Sequence, residues 1–416
     1  MVIPQIVLTY CVGNPQRGGA TIVNGFLKTA GLGVVCFVAG AAITRYYDVH
    51  RTPAAKFETK AELPATPNPV HVDLEHEPLW AYGFDKPAAP GDEAQPQAPP
   101  NRKLRPDQDP AEQTKLLHLE GSKAAYSLVD IRDGQNVIDW FPGDHAPMPD
   151  VIAHGPSRLG DAKRGCGSCH LPNGKGRPEN AAVAGLSVSY IMRQLQDFRS
   201  GRRRSADPRK PNTNTMIDLA KALDDDELKA AAEYFGSLPW TSRIRVVETE
   251  LVPRTRIVGN LFLPLEQAKT EPIGARIIEV PEDEKQTETL RNPRVGFVAY
   301  VPPGSVARGK DLVLTGGAKV VGNQFIRGKA TPCITCHRED LMGAGDSPPI
   351  AGRSPSYMVR QIWDIQQGVR NSEPAQLMKL AVANLTPDDL IAIAAYVASR
   401  LPSPTHASEK ALAAAK

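Results

Sequence analysis

Apolar side chains recur at helical spacing in several stretches of the chain. In residues 187–198 they fall every three or four positions, which is the period of an α-helix with one buried face. Two later stretches carry helix-start signals, because Asp224 precedes an acidic first turn and Thr386 precedes a proline suited to the first helical position. Pro239 and Pro402 mark where these two helices end.

A different pattern occupies residues 241–303, where β-branched residues are frequent and prolines interrupt them. Short apolar runs bounded by proline and glycine are typical of strands and turns. The pattern therefore predicts a small β-rich insertion between two helical regions, either packed against one of them or bridging both.

The N-terminal region contains an apolar run over residues 29–44, flanked by Lys28 and Arg45. A membrane-spanning helix needs about 20 apolar residues, so this run is short for an anchor and close to the core of a signal peptide. Residues 39–41, Ala-Gly-Ala, suit signal cleavage, whereas the long stretch before the run favours an uncleaved anchor. Both alternatives predict export, with residues 1–51 as the signal or anchor segment.

Residues 52–112 contain twelve prolines interleaved with alanine and charged residues. Such a composition cannot bury a core and predicts a semi-extended linker. Residues 113–145 regain apolar and aromatic positions and predict a short lead-in to the first helical region. The balance of 49 basic and 46 acidic residues, a net charge of +3, is too small to indicate a nucleic-acid partner.

Two Cys-x-x-Cys-His pentads, residues 166–170 and 333–337, carry the strongest chemical signal. This spacing predicts covalent attachment of a c-type haem, with the adjacent histidine reaching the iron. The alternative is a pair of zinc sites, but a structural zinc needs four ligands and each pentad offers three. The other cysteines, Cys11 and Cys36, lie in the apolar N-terminal region. The predicted attachment residues are Cys166, Cys169, Cys333 and Cys336, and the predicted iron ligands are His170 and His337.

The pentads belong to a longer internal repeat, because a shift of 167 residues carries the first onto the second. Beyond a shorter loop in the second copy the shift becomes 162. Self-similarity of this kind indicates two copies of one domain. The equivalent pairs include Tyr190 and Tyr357, Gln194 and Gln361, Arg203 and Arg370, Met216 and Met378, and Tyr234 and Tyr396.

A histidine-ligated haem iron needs a ligand on its other face, and a methionine thioether favours ferrous iron. Of the seven methionines, only Met216 and Met378 occupy equivalent positions, so we predict both as axial ligands. Met192 and Met358 are interpreted as helix packing residues, and Met342 follows His337 too closely to reach the opposite face and has no counterpart in the first copy. His145 and His154 are expected at the surface rather than on iron.

Six basic residues cluster before Met216, and two interpretations of the cluster stay open. It either steers an acidic redox partner or forms a solvated loop. Within the cluster only Arg203 has an equivalent arginine in the second copy, Arg370. This repetition suggests a structural role for the two arginines, such as pairing with a haem propionate. The cluster consists of Arg199, Arg202, Arg203, Arg204, Arg209 and Lys210.

With its pentads, Tyr-x-x-Arg-Gln helices and in-register methionines, the chain resembles the class I cytochromes c, in particular their tandem diheme members. The resemblance implies a mainly α protein with two small haem domains. The β-rich insertion between them and the N-terminal region with its membrane segment are departures from a minimal diheme cytochrome. Each domain would comprise pentad, loop, helix, methionine-bearing loop and terminal helix. The expected boundaries are 113–240 for the first haem domain with its lead-in, 241–303 for the insertion, 304–402 for the second haem domain and 403–416 for a tail.

The resemblance implies an electron carrier rather than an enzyme, held at the periplasmic side of the bacterial inner membrane or free in the periplasm if the signal is cleaved. Its expected cofactors are two covalently attached haem c groups. Its partners would be redox proteins, namely a dehydrogenase or quinol-oxidising complex as donor and a terminal oxidase or other cytochrome as acceptor. Two alternatives remain, a diheme enzyme of the peroxidase type and the haem c subunit of a dehydrogenase complex.

Overall fold

A computed structural model describes residues 73, 75–88, 104–105, 107–265 and 269–403. The apolar run at residues 29–44, with its predicted choice between signal and anchor, lies outside the described residues. The same holds for most of the proline-rich segment and for residues 404–416 of the predicted tail.

The first half of the described chain is helical, with one small hairpin. A core of buried residues forms where two of its three long helices meet the pentad region, and it includes Leu195, Phe198, Leu228 and Phe235. In chain order the elements are α1 (Leu79–Tyr82), α2 (Pro110–Thr114), β1 (Leu117–His118), β2 (Ala125–Tyr126), α3 (Leu128–Ile131), α4 (Asp150–Ala153), α5 (Gly167–His170), α6 (Val188–Arg199), α7 (Pro211–Ala222) and α8 (Asp225–Ser237).

The middle of the chain is built from strands, as the frequency of β-branched residues predicts. A three-stranded sheet has the order β3-β9-β8, in which β3 and β9 run parallel and β8 and β9 antiparallel. Two further antiparallel pairs, β4 with β7 and β5 with β6, complete it. The strands are β3 (Ile244–Glu248), β4 (Leu251–Pro253), β5 (Thr255–Val258), β6 (Leu261–Pro264), β7 (Thr270–Pro272), β8 (Ile278–Pro281) and β9 (Phe297–Val301).

The second half is again helical and carries its own core. Gly309 lies against the last helix so closely that a Cβ atom there would stand 1.8 Å from the carbonyl oxygen of Ala392. This contact lets the first and last helices of the half cross at short range. The elements are α9 (Ser305–Thr315), β10 (Lys319–Val321), β11 (Gln324–Ile326), α10 (Ile334–His337), α11 (Pro355–Gln366), α12 (Glu373–Val382) and α13 (Pro387–Ala398).

Both predicted helix starts are confirmed by their capping geometry. The Asp224 side chain accepts from the backbone N–H of Glu227, and the Glu227 side chain accepts from the backbone N–H of Asp224. Thr386 and Asp389 form the same reciprocal pair at α13. Such a capping box satisfies two backbone donors that would otherwise lack partners at the start of a helix.

The prediction of an extended linker over the whole of residues 52–112 is wrong for its middle part. Residues 79–82 form α1, and Tyr82 is fully buried in the core of the second half. The Tyr82 hydroxyl donates to Asp364 at 2.7 Å, and Lys210 donates to the Tyr82 carbonyl at 2.9 Å. Three large apolar or aromatic residues at 79–82 supply enough burial to order a short segment despite the surrounding prolines.

The predicted lead-in packs between the first half and the insertion. Trp140 is buried together with Phe141 and Leu290, and its indole N–H donates to the Leu290 carbonyl at 2.7 Å. Gly165, directly before the first pentad, donates its backbone N–H to the Gly134 carbonyl at 2.8 Å. The lead-in therefore holds the first pentad against the insertion.

The fold is more mixed than the expectation of a mainly α chain, because each half contains a two-stranded hairpin in addition to the strands of the predicted insertion. Among the described residues, no single helix is both long and apolar enough to cross a membrane. The pair α12 and α13 meets that criterion only when taken together, and its two helices diverge by 110°.

Candidate functional site

Each pentad forms one short helical turn, α5 or α10, and presents its histidine in the same way. The Nδ1 of His170 donates to the Ala181 carbonyl at 2.8 Å, and the Nδ1 of His337 donates to the Pro348 carbonyl at 2.9 Å. The two acceptors are themselves equivalent in the 167-residue repeat. A proton fixed on Nδ1 leaves Nε2 free as the ligating atom, which is the usual arrangement of a metal-binding histidine.

The backbone after each histidine repeats as well. Leu171 and Arg338 both adopt a left-handed conformation, with φ of 63° and 67°. The carbonyl of each histidine accepts from a glycine N–H six residues later, at 2.8 Å for His170 and 2.9 Å for His337. The chain therefore turns sharply at the same point in both copies, which brings residues 181 and 348 back onto the imidazoles.

Both imidazoles lie in surroundings that favour their neutral form. His170 and His337 are buried, and burial lowers the pKa of each below its ordinary value, although the carbonyl that accepts from each Nδ1 acts in the opposite direction. Phe235 packs edge-on against His170 with the ring centres 5.8 Å apart. A neutral imidazole held by packing and one hydrogen bond is ready to coordinate a metal.

A cavity of about 1230 Å³ joins the two pentads. It exceeds the range of about 300–1,000 Å³ that is common for a single small-molecule site, so it suits more than one large ligand. Its walls come from both halves and include every residue predicted to attach or ligate a haem. These residues are Cys166, Cys169, His170, Met216, Cys333, Cys336, His337 and Met378.

Met216 and Met378 are half-buried on the walls of this cavity. Met192 packs in the first core and does not line the cavity, whereas Met358 is buried in the second core and also touches the cavity. The expectation that the two in-register methionines lie in loops is wrong, because Met216 belongs to α7 and Met378 to α12. Their role as ligands stays a prediction.

The two pentads differ in how far the rest of the chain covers them. Cys169 is half-buried, and the guanidinium of Arg291 donates to the Ser168 carbonyl at 2.5 Å. A second contact from the insertion is the ion pair of Glu288 with Arg177 at 2.5 Å. Cys336, the equivalent residue of the second pentad, is exposed. The insertion therefore shields the first pentad and leaves the second open.

A cluster of six side chains joins the halves beside the cavity. Arg203 donates to the Tyr357 hydroxyl at 3.0 Å and to Gln361 at 2.7 Å. Arg370 makes the reciprocal contacts, to the Tyr190 hydroxyl at 2.6 Å and to Gln194 at 2.9 Å. We call this set the interdomain cluster; it consists of Tyr190, Gln194, Arg203, Tyr357, Gln361 and Arg370. The repeat identified these positions in the sequence, but not that they face one another.

Charge in the interdomain cluster fits an anionic ligand. Burial raises the pKa of the Tyr357 hydroxyl, but the charges of Arg203 and Arg370 outweigh that effect and hold the pKa below its ordinary value. The Nε of Arg370 is buried without a hydrogen-bond partner among the described residues, although Arg370 lines the cavity. A buried unpaired guanidinium donor next to a large apolar cavity suits a carboxylate such as a haem propionate.

The six basic residues before Met216 do not form one exposed patch. Only Arg202 and Arg204 of the six residues are exposed, whereas Arg203 and Lys210 are buried and Arg209 stacks on Phe84 at 4.2 Å. Arg203, Arg209 and Lys210 contact other segments of the chain. The cluster is therefore not available as a surface that steers a redox partner.

The expectation that His145 lies at the surface is also wrong. Its side chain is 3% exposed and lies 3.4 Å from Asp139. Its Nδ1 is 3.0 Å from the Tyr234 hydroxyl, which donates to the Pro172 carbonyl at 2.7 Å. His145 therefore supports the loop that follows His170. His154 is half-buried, with its Nδ1 at 2.9 Å from the Gln135 carbonyl.

Part of the first half is similar to a known protein family. Residues 161–239, which include the first pentad, match the Cytochrome c family. The chain is 24% identical over 290 residues to the thiosulfate dehydrogenase electron acceptor of Stutzerimonas stutzeri, covering 68% of this chain and 96% of that protein. It is 22% identical over 253 residues to cytochrome c4 of Pseudomonas aeruginosa, covering 59% of this chain and 90% of that protein.

Among solved structures, the thiosulfate dehydrogenase of Marichromatium purpuratum aligns with 24% identity and a TM-score of 0.36. The alignment covers 59% of this chain and only 38% of that structure, so the chain spans less than half of it. The family match and the two Cys-x-x-Cys-His pentads together show that this chain carries covalently bound haem c, and they set the zinc alternative aside.

Proposed function

We propose that this chain is a periplasmic diheme c-type cytochrome that passes electrons between a donor, such as a dehydrogenase or quinol-oxidising complex, and an acceptor, such as a terminal oxidase or another cytochrome. One observation carries the proposal: two equivalent histidine sites open onto one cavity that crosses the boundary between the halves. Haem iron bound there supplies a one-electron ferrous–ferric couple at each site.

The residues of the chain would attach the two haem groups and orient them. In this proposal Cys166 and Cys169 fix one porphyrin, and His170 offers Nε2 to its iron while Ala181 holds Nδ1. Cys333, Cys336 and His337 do the same in the second half. Met216 and Met378 would supply soft, neutral thioether ligands, which favour the reduced iron.

The interdomain cluster positions the two sites relative to each other. Its arginines cross the boundary to hydroxyl and amide oxygens of the other half, and the buried Arg370 Nε has a donor left for a carboxylate. Paired guanidinium groups on haem propionates would hold both porphyrins in one rigid frame. A fixed distance between two redox centres favours rapid exchange of electrons within the protein.

A more specific alternative is that the chain is the haem c subunit that accepts electrons from a dehydrogenase. The observation favouring it is the relative named a thiosulfate dehydrogenase electron acceptor, whose length this chain covers almost completely. A peroxidase-type enzyme needs one displaceable axial ligand, and the two in-register methionines on the cavity wall count against that. The proposed location is the periplasmic face of the inner membrane, through the N-terminal segment, or the free periplasm if that segment is cleaved.

Haem content and electron exchange test the proposal. The parent chain should contain two haems by pyridine haemochrome assay, and Cys169→Ala or Cys336→Ala should lower the content toward one. The reduced protein should pass electrons to an oxidised small c-type cytochrome and show negligible turnover of peroxide. A parent content of one or none, or a peroxide turnover far above that of free haem protein, would contradict it. Cell fractionation tests the anchor: haem-staining protein wholly in the soluble periplasm would exclude it.

A further inference from the structure

The hairpin formed by β10 and β11 exposes four large apolar side chains. The exposed fractions are 69% for Val320, 55% for Val321, 70% for Phe325 and 42% for Ile326. Val320 and Phe325 are direct partners in the antiparallel register, so they stand side by side on one face of the hairpin. Adjacent exposed apolar residues in a folded protein commonly mark an interaction site.

The same segment is positively charged. Residues 316–332 contain Lys319, Arg327 and Lys329 but no aspartate or glutamate. Lys329 pairs with Asp389, whereas Lys319 and Arg327 are exposed and make no ion pair within the part of the chain that the structure describes. An apolar centre with cations at its rim is complementary to an apolar patch rimmed by carboxylates.

The hairpin is continuous with the second haem site. Residues 327–332 connect it to Cys333, and Ala330 to Pro332 line the cavity. The backbone N–H of Thr331 donates to the Ala381 carbonyl at 3.4 Å, which ties the base of the hairpin to α12, the helix of Met378. A partner seated on the hairpin would therefore lie next to the segment that leads into the second pentad, where Cys336 is exposed.

The first half offers no equivalent surface. Its pentad is covered by the insertion, because Arg291 donates to the Ser168 carbonyl. The hairpin that precedes this pentad, β1–β2, packs with half-buried Leu117 and Tyr126 against the core of Trp140. We therefore propose that the β10–β11 hairpin is the docking surface for an acidic redox protein, which exchanges electrons with this chain at the second haem site. This inference rests on the proposed electron-carrier function.

A protein partner fits the hairpin better than a lipid surface. Recognition of anionic membranes typically uses clusters of about 4–8 lysine or arginine residues. The hairpin segment has three, and Asp389 neutralises one of them. The remaining two cations flank an apolar centre, which is the composition of a protein interface with a polar rim.

The test measures electron transfer from the reduced full-length protein to an acidic blue-copper protein by stopped flow. The charge variant Lys319→Glu with Arg327→Glu should lower the second-order rate constant about tenfold at low ionic strength, and added salt should shrink the difference. Phe325→Ser should lower the rate constant at all ionic strengths. The matched controls in the insertion are Lys285→Glu and Leu251→Ser, both at exposed positions, which should stay within about twofold of the parent.

Spectroelectrochemical potentials of both haems should be unchanged in every hairpin variant, which separates docking from damage to the haem site. Hairpin variants that react as fast as the parent would overturn the docking proposal while leaving the electron-carrier function intact. Vesicle binding tests the alternative of a lipid surface. If the parent bound phosphatidylglycerol vesicles, and the hairpin variants lost this binding but kept the parent rate of electron transfer, the docking proposal would be wrong. A parent protein that exchanges electrons with neither the copper protein nor a small cytochrome would overturn the proposed function, and docking with it.

Discussion

Arg203 and Arg370, 167 residues apart in the chain, pair with each other through an antiparallel backbone bridge at the boundary between the halves. Each guanidinium then reaches the tyrosine and glutamine of the opposite half. Equivalent residues that contact each other in this way are typical of a two-fold interface. The two halves are thus arranged like the subunits of a symmetric dimer joined into one chain.

Replacing Arg203 with alanine should destabilise the protein, because the half-buried oxygens of Gln361 and Tyr357 lose a close guanidinium donor and the buried Arg203 side chain loses its packing. The expected loss in free energy of unfolding is about 2–4 kcal/mol. Urea unfolding followed by circular dichroism measures it. Arg204→Ala is the matched control, since Arg204 is exposed and only its backbone N–H bonds across the boundary, to Val369 at 2.9 Å. Equal losses in the two variants would contradict a structural role for the Arg203 side chain.

Removing either in-register methionine should open one iron to added ligand. Met216→Ala and Met378→Ala should each lose part of the sulfur-to-iron charge-transfer absorption and show one haem with a lowered potential. Met192→Ala, a change in the first core away from the cavity, should leave both features intact. Optical and potentiometric titrations report all three. Ligand loss in the Met192 variant but not in the Met216 variant would refute the assignment.

A methyl group at residue 309 should force α9 away from α13. Gly309→Ala places its Cβ against the Ala392 carbonyl, and overpacking of this kind costs about 1–3 kcal/mol. Thermal unfolding should show a lower Tm for the variant. Ala307→Ser, on the exposed side of the same helix, is the control and should leave the Tm nearly unchanged. A Gly309→Ala protein as stable as the parent would mean that the two helices can separate freely.

Glu279 makes stability depend on pH. Burial raises the pKa of its carboxyl from 4.5 to about 7, against the hydrogen bonds from Ser354 and Ser356, and its Oε1 has no hydrogen-bond partner among the described residues. Because the folded-state pKa is raised, its stabilising contribution is complete below about pH 4.5 and is lost as the pH rises through 7.

Glu279→Gln should remove this dependence, since the amide keeps the neutral form at every pH. Relative to the variant, the parent should lose on the order of 2 kcal/mol of unfolding free energy between pH 5 and pH 8. Urea unfolding at several pH values measures the difference. A parent-minus-variant difference that stays flat over this range would show that Glu279 does not titrate there.

Much of this arrangement could be predicted from the sequence because local rules decide it. The pentads fix the attachment chemistry, the repeat fixes the equivalent residues, and the capping residues at 224 and 386 fix two helix starts. The pentads and the capping residues can be recognised within a few residues of sequence. The repeat can be recognised by comparing one copy with the other.

The features that were missed depend on contacts between distant segments. The helices of Met216 and Met378 have a proline near their starts, Pro211 and Pro374, but the resemblance places these methionines in loops. Parts of both helices line the cavity. The contact of Arg291 with Ser168 joins residues 123 positions apart and has no local signature. The burial of His145 also depends on distant partners, because the Tyr234 hydroxyl that it contacts lies 89 positions away.

The placement of Tyr82 makes the second half discontinuous in the chain. The segment that completes its core is synthesised before the first half, and the remainder follows the insertion. A fragment that begins at residue 304 would therefore lack a buried aromatic ring and the hydroxyl that donates to Asp364. The first half is enclosed between two parts of the second, so neither half can be separated by a single cut.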